Sequence, residues 1–216
     1  MLFRSGRAFR RPLRAEQSAA LRTFFDDLRK RGNSVEASLR GVLIAVLMSP
    51  DYFLHFQHEP PHAGVQPLAE FDLAERLSFF LWSSLPDADL FAAAQQSKLR
   101  DEKELLSQVR RMMKDPRMDG FAREFFGQWL RYRDYLAKDP INAPAFPGYD
   151  DTLRQAMFEE PTRFVLDLIQ NDRSVLELLH GDATFVNGAL AKHYGGEMAR
   201  QYQAASSNPS DWHRVT

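Results

Sequence analysis

Apolar residues recur at spacings of three and four along nearly the whole chain, the period of a helix face rather than of a strand. Leu21, Phe24, Phe25 and Leu28 fall at i, i+3, i+4 and i+7 and predict one apolar stripe, which Gly32 closes. Asn33, with Glu36 three residues on, resembles a capping box and opens a second helix over about 34–48. That helix carries Leu39, Val42, Leu43, Val46 and Leu47, and its hydrophobicity predicts a buried central element stopped by Pro50. "DYFLHFQHEPPHAGVQP" then reads as an extended exit and a linker, punctuated by Pro60, Pro61, Gly64 and Pro67. A third helix, about 68–84, places Leu73, Leu77, Phe80 and Leu81 on one face. Pro86 and Asp87 open a short helix to about Ser97. Asp101, with Glu104 behind it, starts another that carries Leu105, Leu106, Val109, Met112 and Met113 and ends at Pro116.

The pattern continues to the C-terminal quarter. Phe121, Phe125 and Trp129 recur every four residues, with Phe126 and Leu130 beside them, and Trp82 and Trp129 read as core anchors. "AKDPINAPAFPGYDD" is a loop. A long helix over about 150–171 contains Pro161, which should kink or split it. A short helix follows Ser174, then a turn at Gly181–Asp182 and a last helix ending at Gly195–Gly196, with a polar tail from Ala204. No segment of strand period reaches useful length. The expected fold class is all-α, a small N-terminal helical hairpin plus a larger orthogonal multi-helix unit. The expected boundaries are 1–60 for the hairpin unit, 61–67 for a linker, 68–200 for the multi-helix domain and 201–216 for a tail or the truncated start of a following domain.

Composition narrows the function classes. Hydrophobic residues make up 44% of the 216, close to the globular norm, so a core can form. Lys plus Arg number 28 against 29 Asp plus Glu, a balance that argues against nucleic acid as the main partner. The chain has no cysteine, which excludes disulfides, Cys-ligated zinc, iron–sulfur clusters, a thiol nucleophile and a C-x-x-C-H haem attachment within these residues. The longest aliphatic run, residues 42–48, falls far short of the roughly 20 apolar residues of a membrane span. The start, "MLFRSGRAFRRPLR", is basic without acid; it reads as a lead-in to the first helix in preference to a transit peptide, and no apolar signal-peptide core follows it.

One motif invites a metal. "HEPPH", residues 58–62, matches H-E-x-x-H, with His58 and His62 as zinc ligands and Glu59 as general base. That chemistry needs a helix, so that residues four apart share one face. Pro60 and Pro61 remove backbone donors and push Glu59 out of the α region. In polyproline II geometry the two His backbones lie about 12 Å apart on different faces. The match is judged false, and a linker holding several His is the simpler reading.

The other candidates are weaker. There is no P-loop, no G-x-G-x-x-G and no G-x-S-x-G. Glu159–Glu160 and Asp150–Asp151 are neighbouring carboxylates, which diverge on a helix. Asp182, Asn187 and His193 form a loose set, but Asn187 and His193 stand about 120° apart around one helix, awkward for a shared site. The structural reading has Asp182 or Thr184 capping that helix, Asn187 bonding backbone and His193 in the last turn, where a cation suits the dipole. Arg76 either pairs with Asp72 one turn back or is buried to bind an anion, and the first is preferred.

Several stretches together resemble a known family. "GRAFRRPLRAEQSAALRTFFDD" with "EASLRGVLIAVLMSPDYFL" resembles one uncharacterised helical domain. "LAERLSFFLWSSLPDADL", "VRRMMKDPRMDGFAREFFGQWL" and "DRSVLELLHGDATFVNGALAKHYG" resemble a second that follows it in tandem, over about residues 6–196. Both are similar to domains of unknown function in large planctomycete-type proteins, which are often exported and often carry c-type cytochrome modules. The resemblance brings no reaction and no catalytic residues. It departs at Pro161, Ala183 and Gly188–Ala189, and "DWHRVT" looks like the opening of a third domain, so the chain reads as a fragment. What it implies is a periplasmic or cell-envelope setting, neighbouring domains of the same polypeptide as partners, no cofactor in this chain, and haem elsewhere in the parent. Two function classes follow. The leading one is a structural or interaction module; the other is part of an enzyme, a hydrolase on polymers or a cytochrome-coupled oxidoreductase, completed by a further domain.

Overall fold

The computed structural model describes residues 6–54, 64, 66–137, 145–146 and 148–216. These residues are predominantly helical and divide into two compact units. The first comprises Met1–Phe80 with Ser84–Gln108, the second Leu81–Ser83 with Val109–Thr216.

The first unit opens on a helical hairpin, α1 (Ala15–Lys30) and α2 (Val35–Leu47). Gly32 turns the chain between them at φ +87°, a left-handed conformation that costs glycine little. Ser34, rather than Asn33, caps α2, its hydroxyl accepting the Ala37 amide at 3.1 Å. The helices approach closely at Gly41, where a Cβ would stand 2.7 Å from the Leu28 Cδ1. Only Ser38, Val42 and Val46 of α2 are buried. Leu39, Leu43, Ile44, Leu47 and Met48 are exposed, Met48 to 71%. The expectation of a buried central helix is therefore wrong: α2 is apolar nearly all round, yet one narrow stripe meets the hairpin partner.

A short helix α3 (Pro50–Phe53) and three longer ones, α4 (Glu70–Trp82), α5 (Ala88–Gln95) and α6 (Glu102–Met113), follow. The last residues of α4 and α6 belong to the second unit. Phe80, expected on the buried stripe of α4, is 56% exposed. A buried charge hub ties this unit together. The Arg10 guanidinium donates to the carbonyls of Tyr52 (2.9 Å), Asp51 (3.0 Å) and Leu54 (2.9 Å), the exposed-carbonyl end of α3. Its Nε stands 2.6 Å from the Glu75 carboxylate on α4. Arg11 pairs with Asp72 at 2.9 Å one turn earlier on the same helix. Arg10, Asp72 and Glu75 are all buried.

In the second unit Trp82 is buried, its indole N–H donating to the Met112 carbonyl at 3.1 Å. Asp115 then caps a 3₁₀ turn, Pro116–Met118, accepting the Arg117 amide at 2.9 Å and its guanidinium at 2.7 Å. The Arg117 hydrogen bond holds the Asp115 carboxyl down at about 2, against an ordinary 3.8. A depressed carboxylate stabilises the fold above its unfolded pKa, and that contribution is lost as pH falls from about 4 to about 2. Asp115→Asn should flatten this part of the acid limb, measured as the urea midpoint between pH 5 and pH 2.

From 116 to 129 the chain is one composite helix. A 3₁₀ turn passes into α-helix (Asp119–Phe121), then π-helix (Ala122–Phe126), then α-helix (Gly127–Trp129). The wider π turn changes which side chains face inward. Ala122 and Phe126 are buried, while Phe125 and Trp129 are 48% and 57% exposed, so Trp129 is not the core anchor its spacing predicts. The Tyr132 hydroxyl donates to the Ala122 carbonyl at 2.6 Å inside this segment.

Helix α7 (Asp151–Gln170) runs through Pro161 without a break. Proline in a helix interior costs about 3 kcal/mol or more. Here packing on both sides offsets it: Leu153, Ala156 and Phe158 before it and Thr162, Val165 and Leu168 after it are buried. After the short α8 (Glu177–His180) come strand β1 (Thr184–Val186), α9 (Gly188–Tyr194), α10 (Gly196–Ala205) and strand β2 (His213–Val215). The strands pair antiparallel, with Thr184 opposite Val215 and Val186 opposite His213. Sequence patterning missed this small sheet and α10, because three-residue strands carry no readable period and α10 offers few apolar residues. Within "DWHRVT" Val215 packs inward, joining Val186, Leu190, Tyr202 and Leu153 in one core cluster.

Candidate functional site

The second unit carries an open cleft of about 920 Å³ between the start of α7, helix α9 and the turn after α10. Its polar lining includes Asp150, Asn187, Lys192, His193, Gln203 and Ser206. Three of these groups are already committed, Ser206 among them, its hydroxyl donating to the Asp211 carboxylate at 2.8 Å. Asp150 caps α7, accepting the Leu153 amide at 2.8 Å. Asn187 caps α9, accepting the Leu190 amide at 3.1 Å, the role that sequence reasoning gave to Asp182 or Thr184. Lys192 and His193 end α9, exposed, where cations suit the helix dipole. Among the described residues no carboxylate is bonded to His193, so no oriented acid–base pair forms there.

The predicted site residues therefore scatter. Asn187 and His193 do line one cleft despite their angular separation, since its mouth is wide. Asp182 stands exposed in the loop ahead of β1, outside that lining. Arg76 belongs to the first unit and is exposed on α4, where the buried Asp72 takes its charge partner from Arg11. His58, Glu59 and His62 lie outside the described residues. Among the described residues no three His, Asp or Glu side chains gather as a metal would need.

The adjacent carboxylates of α7 diverge as expected. Glu159 takes the Arg123 guanidinium at 2.7 and 2.8 Å, and Arg123 also reaches Asp119 on its own helix at 2.5 Å. Glu160 instead accepts from the Thr184 hydroxyl at 2.5 Å and the Tyr194 hydroxyl at 2.6 Å, tying β1 and α9 to α7. Burial first, and the Glu160 carboxylate second, push the Tyr194 hydroxyl above its ordinary range. These acids hold elements together. Sequence spacing could not reveal that, because Arg123 lies 36 residues from Glu159, and Thr184 and Tyr194 lie 24 and 34 residues from Glu160.

A cap and a catalytic amide respond differently to substitution. Asn187→Ala should cost about 1 kcal/mol of stability through the lost cap. His193→Ala, exposed at a helix end, should stay within about 0.5 kcal/mol. Chemical unfolding of both variants checks this.

The geometry defines a class first: a helical protein whose buried charges serve packing and whose broad cleft lacks a preassembled catalytic set among the described residues. The family follows. A model described as PSD4, protein of unknown function (DUF1592), matches residues 68–195, and one described as PSD5, protein of unknown function (DUF1595), matches residues 5–57. The first alone covers more than half of the chain, and the chain belongs to this family, with the PSD5-type domain ahead of it in tandem. These families are those of planctomycete-type, cytochrome-c-associated multidomain proteins, in line with the resemblance read from the sequence. No curated protein and no solved structure matches the chain.

Proposed function

We propose that this chain is a structural and interaction module of an exported, cytochrome-linked multidomain polypeptide, holding its neighbouring domains in place. The observation that carries this reading is the bare apolar face of α2 and its exit: Leu39, Leu43, Ile44, Leu47, Met48 and Phe53 are each at least 37% exposed. Contiguous exposed apolar surface marks an interaction site. The tandem order of the two family domains supports a neighbouring domain of the same polypeptide as the occupant. The periplasm or cell envelope is the setting this family association supports.

Hydrogen exchange tests the reading. In the full parent polypeptide the side of α2 bearing Leu43 and Met48 should be covered, so amides of residues 42–54 should exchange at least tenfold more slowly than in this chain alone. Equal exchange in both would overturn it. The cleft favours a second reading, part of an enzyme completed by a further domain, because Lys192 and His193 stand at its wall without a carboxylate partner among the described residues. Turnover by the parent polypeptide that is unchanged in His193→Ala and Arg76→Ala would remove those residues as candidates.

A further inference from the structure

The first unit holds a second concavity, smaller and mostly apolar, that the module reading does not use. It encloses about 460 Å³ between the N-terminal segment and helix α5, within the range of small-molecule sites. Pro12 and Leu13 form one wall, Pro86, Phe91 and Ala92 the other. Both walls are held from behind. Phe91 packs against Phe71 with ring centroids 5.2 Å apart. Arg10, also on the lining, is locked by three carbonyls and by Glu75, which cancels its charge. Asp87, at the start of α5, turns its carboxylate to the Leu90 amide at 3.0 Å as the helix cap. Arg7 differs: it is exposed at the cavity wall, and no ion pair engages it among the described residues. The Ser18 hydroxyl and the Gln95 amide complete the polar part of the lining.

We propose that this cavity binds a small amphipathic anion, with an apolar body of about two fused rings seated between Leu13 and Phe91 and its acidic head at Arg7. Rigid apolar walls reward burial of the body, and the guanidinium selects a planar or branched anionic head by paired hydrogen bonds. With Arg10 neutralised and the Asp87 carboxylate turned to the Leu90 amide at the start of α5, Arg7 is the cation that sets the preference. This inference does not rest on the module reading and stands or falls separately from it.

Two probes of the same skeleton test it: 1-anilinonaphthalene-8-sulfonate, an anion, and N-phenyl-1-naphthylamine, its neutral counterpart. The expected result is saturable binding of both at one site, with methyl shifts at Leu13 and Ala92 in NMR spectra of the unaltered chain. Arg7→Gln should weaken the anion about fivefold, the scale of one exposed charge contact, and leave the neutral probe unchanged. Ala92→Phe, which fills the cavity, should abolish both; should that variant fail to fold, Ser18→Leu on the opposite wall replaces it. Binding unaffected by filling would place the probes on α2 or another apolar surface and overturn the site. Equal affinity changes for both probes in Arg7→Gln would overturn the anion preference, and so would absence of shifts at Leu13 and Ala92.

Discussion

Replacing Arg10 with alanine is expected to destabilise the first unit by about 3–5 kcal/mol, the largest effect of any single substitution away from the hydrophobic core. The side chain is 4% exposed, donates to three carbonyls and stands in ion-pair contact with the Glu75 carboxylate. Its removal takes the cation at 2.6 Å from the buried Glu75 carboxylate, which keeps the Arg11 guanidinium at 3.9 Å, and it strips the carbonyls of Asp51, Tyr52 and Leu54 of their donor. The penalty is thus desolvation left uncompensated, rather than the net worth of one ion pair. Two further variants separate the contributions. Arg10→Met combined with Glu75→Met should recover part of the loss, because an apolar pair removes the buried carboxylate; recovery stays incomplete because the three carbonyls remain unserved. Arg10 also sits at φ +59°, where glycine is favoured over alanine by about 1 kcal/mol, so Arg10→Gly should be milder than Arg10→Ala by that amount. Urea unfolding followed by circular dichroism reads all four proteins. A loss below about 1 kcal/mol in the alanine variant would show that the hub contributes little.

The second large effect contrasts two tryptophans that look alike in the sequence. Trp82→Ala should cost about 3–5 kcal/mol, and Trp129→Ala less than about 1 kcal/mol. Trp82 is 3% exposed and closely surrounded. Its indole N–H is satisfied by Met112, and the Arg117 guanidinium lies over the ring at 3.5 Å. The composite helix presses on its backbone at Gly120, where a Cβ would come within 2.8 Å of the Trp82 carbonyl oxygen. A cavity at Trp82 cannot collapse easily against backbone that is already this close, so the cost belongs at the upper end for such truncations. Trp129 is 57% exposed and lies on the Phe125 and Phe126 rings, so its truncation removes ring contacts without opening a buried void. Similar destabilisation by the two variants would contradict this assignment of inside and outside.

These cases show where sequence reading stops. Trp129 sits on a stripe of spacing four with Phe121 and Phe125, and that spacing predicts burial in a regular α-helix. The π-helical residues 122–126 shift the face by one position, and no local signal in "AREFF" announces a π turn. Helix α2 fails for a different reason. Hydrophobicity says that a helix has surface to bury, not that a partner lies within the same chain, and α2 keeps most of its apolar face bare. The site shows the same divide. That Glu159 and Glu160 diverge was legible from helix geometry; that they meet Arg123 and Tyr194 was not.

By itself the sequence determined that the chain is helical, where most helices begin and end, that it opens on a hairpin, and which family it belongs to. Period, caps, prolines and glycines act over a few residues, and a single strand of text records them fully. The tertiary structure alone decided that Arg10 serves Glu75 and the end of α3, that Pro161 is carried through an unbroken helix, that Val186 and Val215 join in a small sheet, and that Asn187 and His193 share a cleft. Each of these depends on residues far apart in the chain meeting with their charges and volumes matched, and the energy of such a meeting is a property of the packed arrangement rather than of any local stretch.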